Sequence, residues 1–479
     1  MGFGGLYISI TGLQASKQSL NTVSHNISNS NNKNYVRQSA LHATNPYTTI
    51  GVGRLEVGTG VNVAEIRQIR DEFLDLKLRR EIASFGYHYA KSQILEDIEA
   101  VFNEITNSGL QKVMDDFWNN WNELYKEPES LTIRGLVHES SVAFVDTVNH
   151  ISTQLNNIKM NLNNEILNKV HETNSILKRI GELNKEIKLV EGENSKIKAN
   201  DFRDERNALL DRLAELMPVT SYENSFGEVI VHLKGKELVS GNFISTIDIN
   251  LNNEGLANIY FYNTNEKIEL NGLGELGGFI DARDESITYY TNRLDILVHT
   301  IASEINKLHS TGYDLLGTTG TDFFTGITSV ENSAANIRVN PDLANFNMIA
   351  ISSQPGVIGN GEIAKKIHEL RKELLFGVYN PEDPFAGPGD LEMNIDDYYR
   401  DIVLSLGLER EASRTIANNQ DFLIKSIDEK RKSISAVSLD EEMADMIKFQ
   451  HSYVANSRVI NAIDEMVENI VNRVGLVGR

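Results

Sequence analysis

The strongest constraint in this chain is a lattice of aliphatic residues between Val145 and Val190. Fourteen positions spaced alternately by 3 and 4 hold ten aliphatic side chains, among them Leu155, Leu162, Ile176, Ile180, Leu183 and Ile187. That spacing lays them along one stripe of an α-helix, which predicts one very long helix over 131–191. Lys159 and Lys169 interrupt the stripe, so packing inside a bundle is expected rather than a free two-stranded coil. Only eight prolines occur in 479 residues, which suits long uninterrupted helices.

Both chain ends repeat the pattern. Positions 6, 10, 13, 17, 20, 24 and 27 read Leu, Ile, Leu, Lys, Leu, Ser and Ile, a thin apolar stripe that needs a partner. Positions 439, 443, 446, 450, 453, 457, 460, 464, 467, 471 and 474 read Leu, Met, Met, Gln, Tyr, Ser, Ile, Asp, Val, Val and Val. This second seam opens on "SLDE", which predicts a capping box between Ser438 and Glu441, with Asp440 to Glu442 favouring the positive helix start. The two ends are therefore expected to meet in space, or to pair with neighbouring copies. After the first stripe comes "HNISNSNNKNYVRQ", residues 25–38, where asparagines compete for backbone hydrogen bonds and turn the chain.

Between the ends, 71–126 reads as two helices punctuated by Asn107-Ser108-Gly109, and "FRDERNALLDRLAEL" as another that stops before Pro218. The period then changes to two. Val229, Val231 and Leu233 precede "KGK", a hairpin turn, and Ile247 to Leu251 and Ile259 to Tyr262 follow. Helix returns at about 275–310 and again at 362–376, while "NPEDPFAGPGD", 380–390, is a loop. The expected fold is mainly α, with an inserted small β domain and a helical bundle or coiled coil built from both terminal segments. The expected division is 1–70, an axial helix and extended segment; 71–217, the first part of the bundle; 218–271, the β insertion; 272–328, a returning helix and irregular segment; 329–437, a loop-rich region and the second part of the bundle; and 438–479, a second axial helix.

Charge narrows the functions. A formal net charge of −21 repels nucleic acid and anionic lipid. With no cysteine there is no thiolate ligand, thiol nucleophile or disulfide. The opening residues lack the basic start and apolar run of a signal peptide, and no run nears the ~20 apolar residues of a membrane span. "GNGEIAKK", 359–366, reads as a loop-to-helix turn rather than a phosphate cradle, since Ala364 replaces the last glycine. "DINLNNEG", 248–255, reads as a β-turn rather than a calcium loop, because Asn253 stands where the sharp-turn glycine belongs. Trp118 and Trp121, three apart beside Phe117 and Leu124, read as core. No cofactor, metal or catalytic residue set is expected.

The residues at both ends resemble the axial proteins of the bacterial flagellum. The first motif is carried by Gly12-Leu13-x-Ala15, Leu20, Asn26-Ile27-Ser28-Asn29 and Tyr35-x-Arg37-Gln38. Its companion is carried by Leu439 to Met443, Gln450, Tyr453, Ala455, Val459-Ile460 and Asp464-Glu465-Met466. Interior stretches resemble the hook-associated, hook-filament junction family within that superfamily: "NDFRDERNALLDRL", Gly277-Gly278 with Asp281 and Arg283, Asn306-x-x-His309-x-x-Gly312, and Asp322-Phe323-Phe324. Asn34 departs from the family's glycine before the tyrosine, but asparagine also takes the left-handed conformation.

The resemblance implies a structural, non-enzymatic protein of the flagellum, outside the cell at the hook-filament junction and exported without a cleaved signal peptide. It implies partners in the hook protein, the second junction protein, other copies in a homo-oligomeric ring, and an export chaperone on the C-terminal helix, with termini disordered in the free subunit. The assembly residues it implies are Leu6, Ile10, Leu13, Leu20, Asn26, Ile27, Asn29, Tyr35, Arg37 and Gln38, with Leu439, Asp440, Glu441, Met443, Met446, Gln450, Tyr453, Ile460, Asp464, Met466 and Val467. Another axial protein, or an enzyme-bearing flagellar subunit, is the competing reading; length and the interior motifs argue against the first, and the small β unit without a catalytic string against the second.

Overall fold

A computed structural model describes residues 3–50, 55–102, 109–192, 198–377, 379–380 and 392–471. Most of the loop at 380–390, Asn107, Ser108 and the seam position Val474 lie outside the described residues. The chain opens with α1 (Phe3–Ser28), then β1 (Gln38–Thr44), β2 (Thr48–Ile50), β3 (Leu55–Val57) and β4 (Val61–Gln68). β1 pairs antiparallel with β4, and β2 with β3. Four helices follow: α2 (Glu72–Phe102), α3 (Leu110–Lys126), α4 (Leu131–Glu191) and α5 (Asn200–Leu216).

The aliphatic lattice does form one helix. α4 has 61 residues, about 90 Å at 1.5 Å per residue. Its two lysines leave the seam sideways: Lys159 pairs with Glu254 at 3.2 Å and Lys169 with Glu275 at 2.9 Å. These contacts fasten the helix to the β region and to the helix after it.

That region holds β5 (Val219–Glu223), β6 (Val229–Leu233), β7 (Lys236–Ser240), β8 (Phe243–Ile244), β9 (Ile247–Leu251) and β10 (Ala257–Phe261). The first four form an antiparallel sheet in sequence order, and the last two a hairpin. The turn in "KGK" has positive φ at Lys234 and Gly235, 49° and 79°, the signature of a type I′ hairpin. In "DINLNNEG", Asn252 Oδ1 accepts from the amides of Glu254 and Leu256, closing the second hairpin. Val229, Val231, Leu233, Val239, Ile259 and Phe261 face Ile166, Val170, Leu177 and Ile180 of α4 and Leu210 and Leu213 of α5 in one core.

α6 (Glu275–Asp281) runs through a π-helical turn at Ala282–Ser286 into α7 (Ile287–Thr311). Beyond lie β11 (Phe324–Thr325), α8 (Ser333–Asn336), β12 (Arg338–Val339), α9 (Glu362–Leu370), α10 (Ile395–Ser435) and α11 (Leu439–Asn469). A second core gathers Phe117, Trp118, Trp121, Phe144, Tyr290, Phe323 and Phe324 from α3, α4, α7, the loop after it and β11. Trp121 and Phe323 have ring centroids 5.3 Å apart, so the tryptophan pair is core as expected. "GNGEIAKK" is the start of α9, and Gly361 is there because a Cβ would meet the Tyr125 carbonyl at 2.9 Å.

Candidate assembly surface at the paired termini

α1 and α11 pack against each other, but not along the expected stripes. The buried residues of α1 are Ser9, Thr11, Ala15, Ser16, Ser19, Thr22, Val23 and Asn26. Leu6, Leu13, Leu20 and Ile27 are half-buried, and Ile10 is exposed. The reason is close approach. A Cβ on Gly12 would come within 2.8 Å of the Asn456 amide, Ser16 Oγ donates to Ser452 Oγ at 3.1 Å, and Gly5 faces Ile463. Small residues let the two backbones come together, and bulky leucines are turned aside. The neighbouring face of α1 takes the β1–β4 pair, where Ser19 bonds His42 at 2.8 Å and Thr11 Oγ1 accepts from the Val61 amide at 3.3 Å.

The asparagine-rich stretch forms a latch. Asn26 makes four hydrogen bonds, the full capacity of a primary amide. Its Oδ1 accepts from Tyr35 Oη at 2.7 Å and the Gln38 amide at 3.0 Å; its Nδ2 donates to the Gln38 carbonyl and to Glu442 Oε2, both at 2.9 Å. Arg37 closes the circuit, donating from Nε to Glu442 Oε1 at 2.6 Å and from Nη1 to Glu441 Oε2 at 2.7 Å. The Arg37 amide also donates to the Ser435 carbonyl at 2.9 Å. Burial, then the charges of Asp201, Asp204 and Glu442, hold the Tyr35 phenol well above its ordinary value, so it stays a donor.

The capping box does not form. Ser438 makes no side-chain cap bond, and Glu441 and Glu442 are drawn across to Arg37. Asn29, by contrast, caps α1 by donating to the His25 carbonyl at 3.0 Å. α1 and α11 are helical over their described residues, and the small-residue contact and the latch join them.

α11 turns a second apolar row away from α1. Leu439, Met443, Ile447 and Val454, at steps of 4, 4 and 7, are 49%, 57%, 54% and 45% exposed. Asp440, Gln450, Tyr453, Asp464 and Met466 are exposed as well, while Met446, Ile460 and Val467 are half-buried beside the α1 contact. Reading leucines as the seam missed Ser16, Ser452 and Asn456, which show no hydrophobic periodicity. It also missed Glu442, 1% exposed, whose signal was hidden in an acidic run that helix-start chemistry explained too easily.

The interior motif residues support the body. Arg283 donates to Asn163 Oδ1 at 2.8 Å and to the Ala257 carbonyl at 2.9 Å, tying α4 to the β region. Asn306 exchanges two 2.8 Å bonds with the backbone of Phe324. His309, fully buried, accepts from the Ala350 amide through Nε2 at 2.9 Å and donates from Nδ1 to the Thr321 carbonyl. That pattern requires the neutral ring, and burial pushes its pKa down to about 4.

Comparisons with known proteins agree with this architecture. Residues 95–324 match the family model for the flagellar hook-associated protein FlgK helical domain, and residues 433–473 that for the flagellar basal body rod FlgEFG protein C-terminal region. Flagellar hook-associated protein 1 of Bacillus subtilis is 29% identical over 100% of this chain and 99% of its own length. The Escherichia coli protein of that name is 23% identical over 97% and 98%. The fold is that of the flagellar hook junction protein FlgK from Burkholderia pseudomallei, matched with a TM-score of 0.64 over 75% of this chain and 100% of that one at 11% identity.

Proposed function

We propose that this chain, which belongs to the flagellar hook-associated protein 1 family, is a structural subunit of the hook-filament junction of the bacterial flagellum. It polymerises as a ring between hook and filament, with hook protein on one side and the second junction protein on the other, and carries no catalytic activity. It reaches that position outside the cell through the flagellar export route without a cleaved signal peptide, and an export chaperone holds the C-terminal helix beforehand.

The observation that supports this reading is the apolar row Leu439, Met443, Ile447 and Val454, exposed on a helix whose opposite face is already occupied. An isolated chain leaves that surface in water, whereas neighbours in a ring would cover it. Leu6, Leu13, Leu20 and Ile27 are half-covered and Ile10 and Tyr453 exposed, so they too are available to neighbours. Asn26, Tyr35, Arg37, Gln38 and Glu442 serve it indirectly, by holding α1 and α11 in register.

The test is complementation in cells lacking the native protein. Ile447→Asp with Val454→Asp, and separately a deletion of 439–474, should abolish filaments and motility while the double substitution leaves the purified monomer folded. Filaments at normal length with either variant would overturn the reading. Labelled protein should be located too; a spot at the proximal end of the filament is the expected result, and a spot elsewhere on the axis would overturn the reading.

A further inference from the structure

α4 holds the β region in two chemically different ways, and only one of them has a position written into it. The apolar way repeats. Val170 and Leu177, and Ile180 and Ile187, are buried pairs seven residues apart, so the stripe offers a sheet nearly the same surface again about 10 Å further along. Adhesion of that kind holds a partner without choosing where it sits.

The polar way does not repeat. Asn174 Oδ1 accepts from the Ile247 amide at 2.8 Å, while its Nδ2 donates to the Ile247 carbonyl at 2.9 Å. Asn184 treats Val229 alike, accepting from its amide at 3.0 Å and donating to its carbonyl at 2.8 Å. Asn163 accepts from the Ala257 amide at 2.7 Å and donates to the Gly255 carbonyl at 3.3 Å. Ala257, Ile247 and Val229 are the first residues of β10, β9 and β6, so each asparagine receives one strand where it begins. Asn163 and Asn184 are buried and Asn174 half-buried. Gly181 adds a mark of another kind: a Cβ there would stand 2.6 Å from Ile244 Cδ1, so β8 fits α4 at a place where the helix has no side chain.

The spacing decides what these bonds do. From 163 to 174 and from 174 to 184 are steps of 11 and 10 residues, neither a multiple of seven. One heptad toward the C-terminus the same strand starts would meet Val170, Gly181 and Glu191; one heptad back they would meet Asn156, Leu167 and Leu177. Either slip leaves at least two strand starts without an amide to pair both their N–H and C=O groups, and unpaired backbone groups in a buried contact are costly.

We propose that Asn163, Asn174 and Asn184 form a register code, three positioning residues that fix where the β region sits along α4 while the apolar stripe supplies the adhesion. A buried amide that contributes position rather than bulk stability has this effect on apolar seams generally. The outward face of the β region, with Tyr222 and Phe243 exposed, is thereby held at one height on a helix about 90 Å long. The inference concerns the body alone and depends neither on the assembly reading nor on the terminal helices.

The chain has no cysteine, so Lys178→Cys on α4 and Asn253→Cys at the tip of the β9–β10 hairpin, both exposed, give two unique spin-label positions. Electron–electron dipolar spectroscopy on the full-length chain reads the separation between hairpin tip and helix. With the asparagines in place the distribution should be single and narrow. Asn174→Leu should broaden it, and Asn163→Leu added to that should bring in a second population displaced by about 10 Å. Asn174→Asp, which still accepts from the Ile247 amide but cannot donate to its carbonyl, should give an intermediate width. Circular dichroism and a cooperative urea transition certify that each variant folds. Because Asn163→Leu also takes a partner from Arg283, Asn174→Leu alone decides the matter if the double variant does not fold. An asparagine that contributed only stability would lower the urea midpoint and leave the distribution narrow, and that result in Asn174→Leu would overturn the proposal.

Discussion

The axial pair and the body solve the same problem with opposite materials. The body hides aromatic and aliphatic residues in two cores and spends its polar groups on tying helices to sheets, as Arg283 and Asn306 do. The axial pair hides serine, threonine, alanine and asparagine, and leaves Met443, Ile447 and Val454 in water. Close backbone approach through small residues gains packing and hydrogen bonds but buries little apolar area, and apolar area is what stabilises an isolated domain. The body is thus complete as one chain, while the pair has its hydrophobic share still to bury.

Four measurements sharpen that contrast, beginning with the largest effect. Trp121→Ala removes a fully buried ring from the aromatic core and should cost about 3–5 kcal/mol in urea unfolding of the body; a loss below a third of that would mean the core is less tightly packed than its geometry implies. Lowering the pH comes next. His309 is neutral when folded, with its pKa held at about 4 against 6.5 unfolded. Its contribution is present above pH 6.5 and lost as pH falls toward 4, on the order of 3 kcal/mol. The slope of stability against pH in that window should flatten in His309→Gln, whatever the variant's baseline.

A smaller effect should follow from Asn26→Ala, which leaves Glu442 and Tyr35 each without one buried partner. About 1–3 kcal/mol is expected, but confined to the axial pair. Hydrogen exchange should speed up in α1 and α11 with the α4 core unchanged, and uniform acceleration would erase the distinction between the two regions. Ile447→Asp sits at the bottom of the scale. At 54% exposure it should move monomer stability by less than about 0.5 kcal/mol, a null result that gains meaning beside its expected effect on assembly.

The same contrast explains how far the sequence could be read. α4, the I′ hairpin at Lys234-Gly235 and the buried tryptophans follow from periodicity and turn chemistry, because in the body the hydrophobic pattern and the buried face coincide. In α1 they do not. Gly12 and Ser16 have no hydrophobic signal, yet they face the partner helix, and the leucine stripe that dominates the pattern ends half-covered. The latch was half legible: Asn26, Tyr35, Arg37 and Gln38 stood out as a motif, but their common acceptor at Glu442 lies 416 residues from Asn26, beyond the reach of any local rule. The π-helical turn at Ala282–Ser286 left no trace either; the partners of its buried Arg283, Asn163 and the Ala257 carbonyl, are distant in sequence.

That 416-residue separation sets an order of events. An unfolded chain would have to bring its two ends together across nearly its whole length for a contact with little apolar reward, and contacts so distant in sequence form slowly. Once α2 and α10 have paired, the arms that remain run only from residue 71 back to 26 and from 435 on to 442, and the closure becomes a local search. The dependence runs one way: the body can fold before the ends meet, but the ends have nothing to align them until the body exists. Every newly made copy therefore passes through a stage in which the body is finished and both tails are still single.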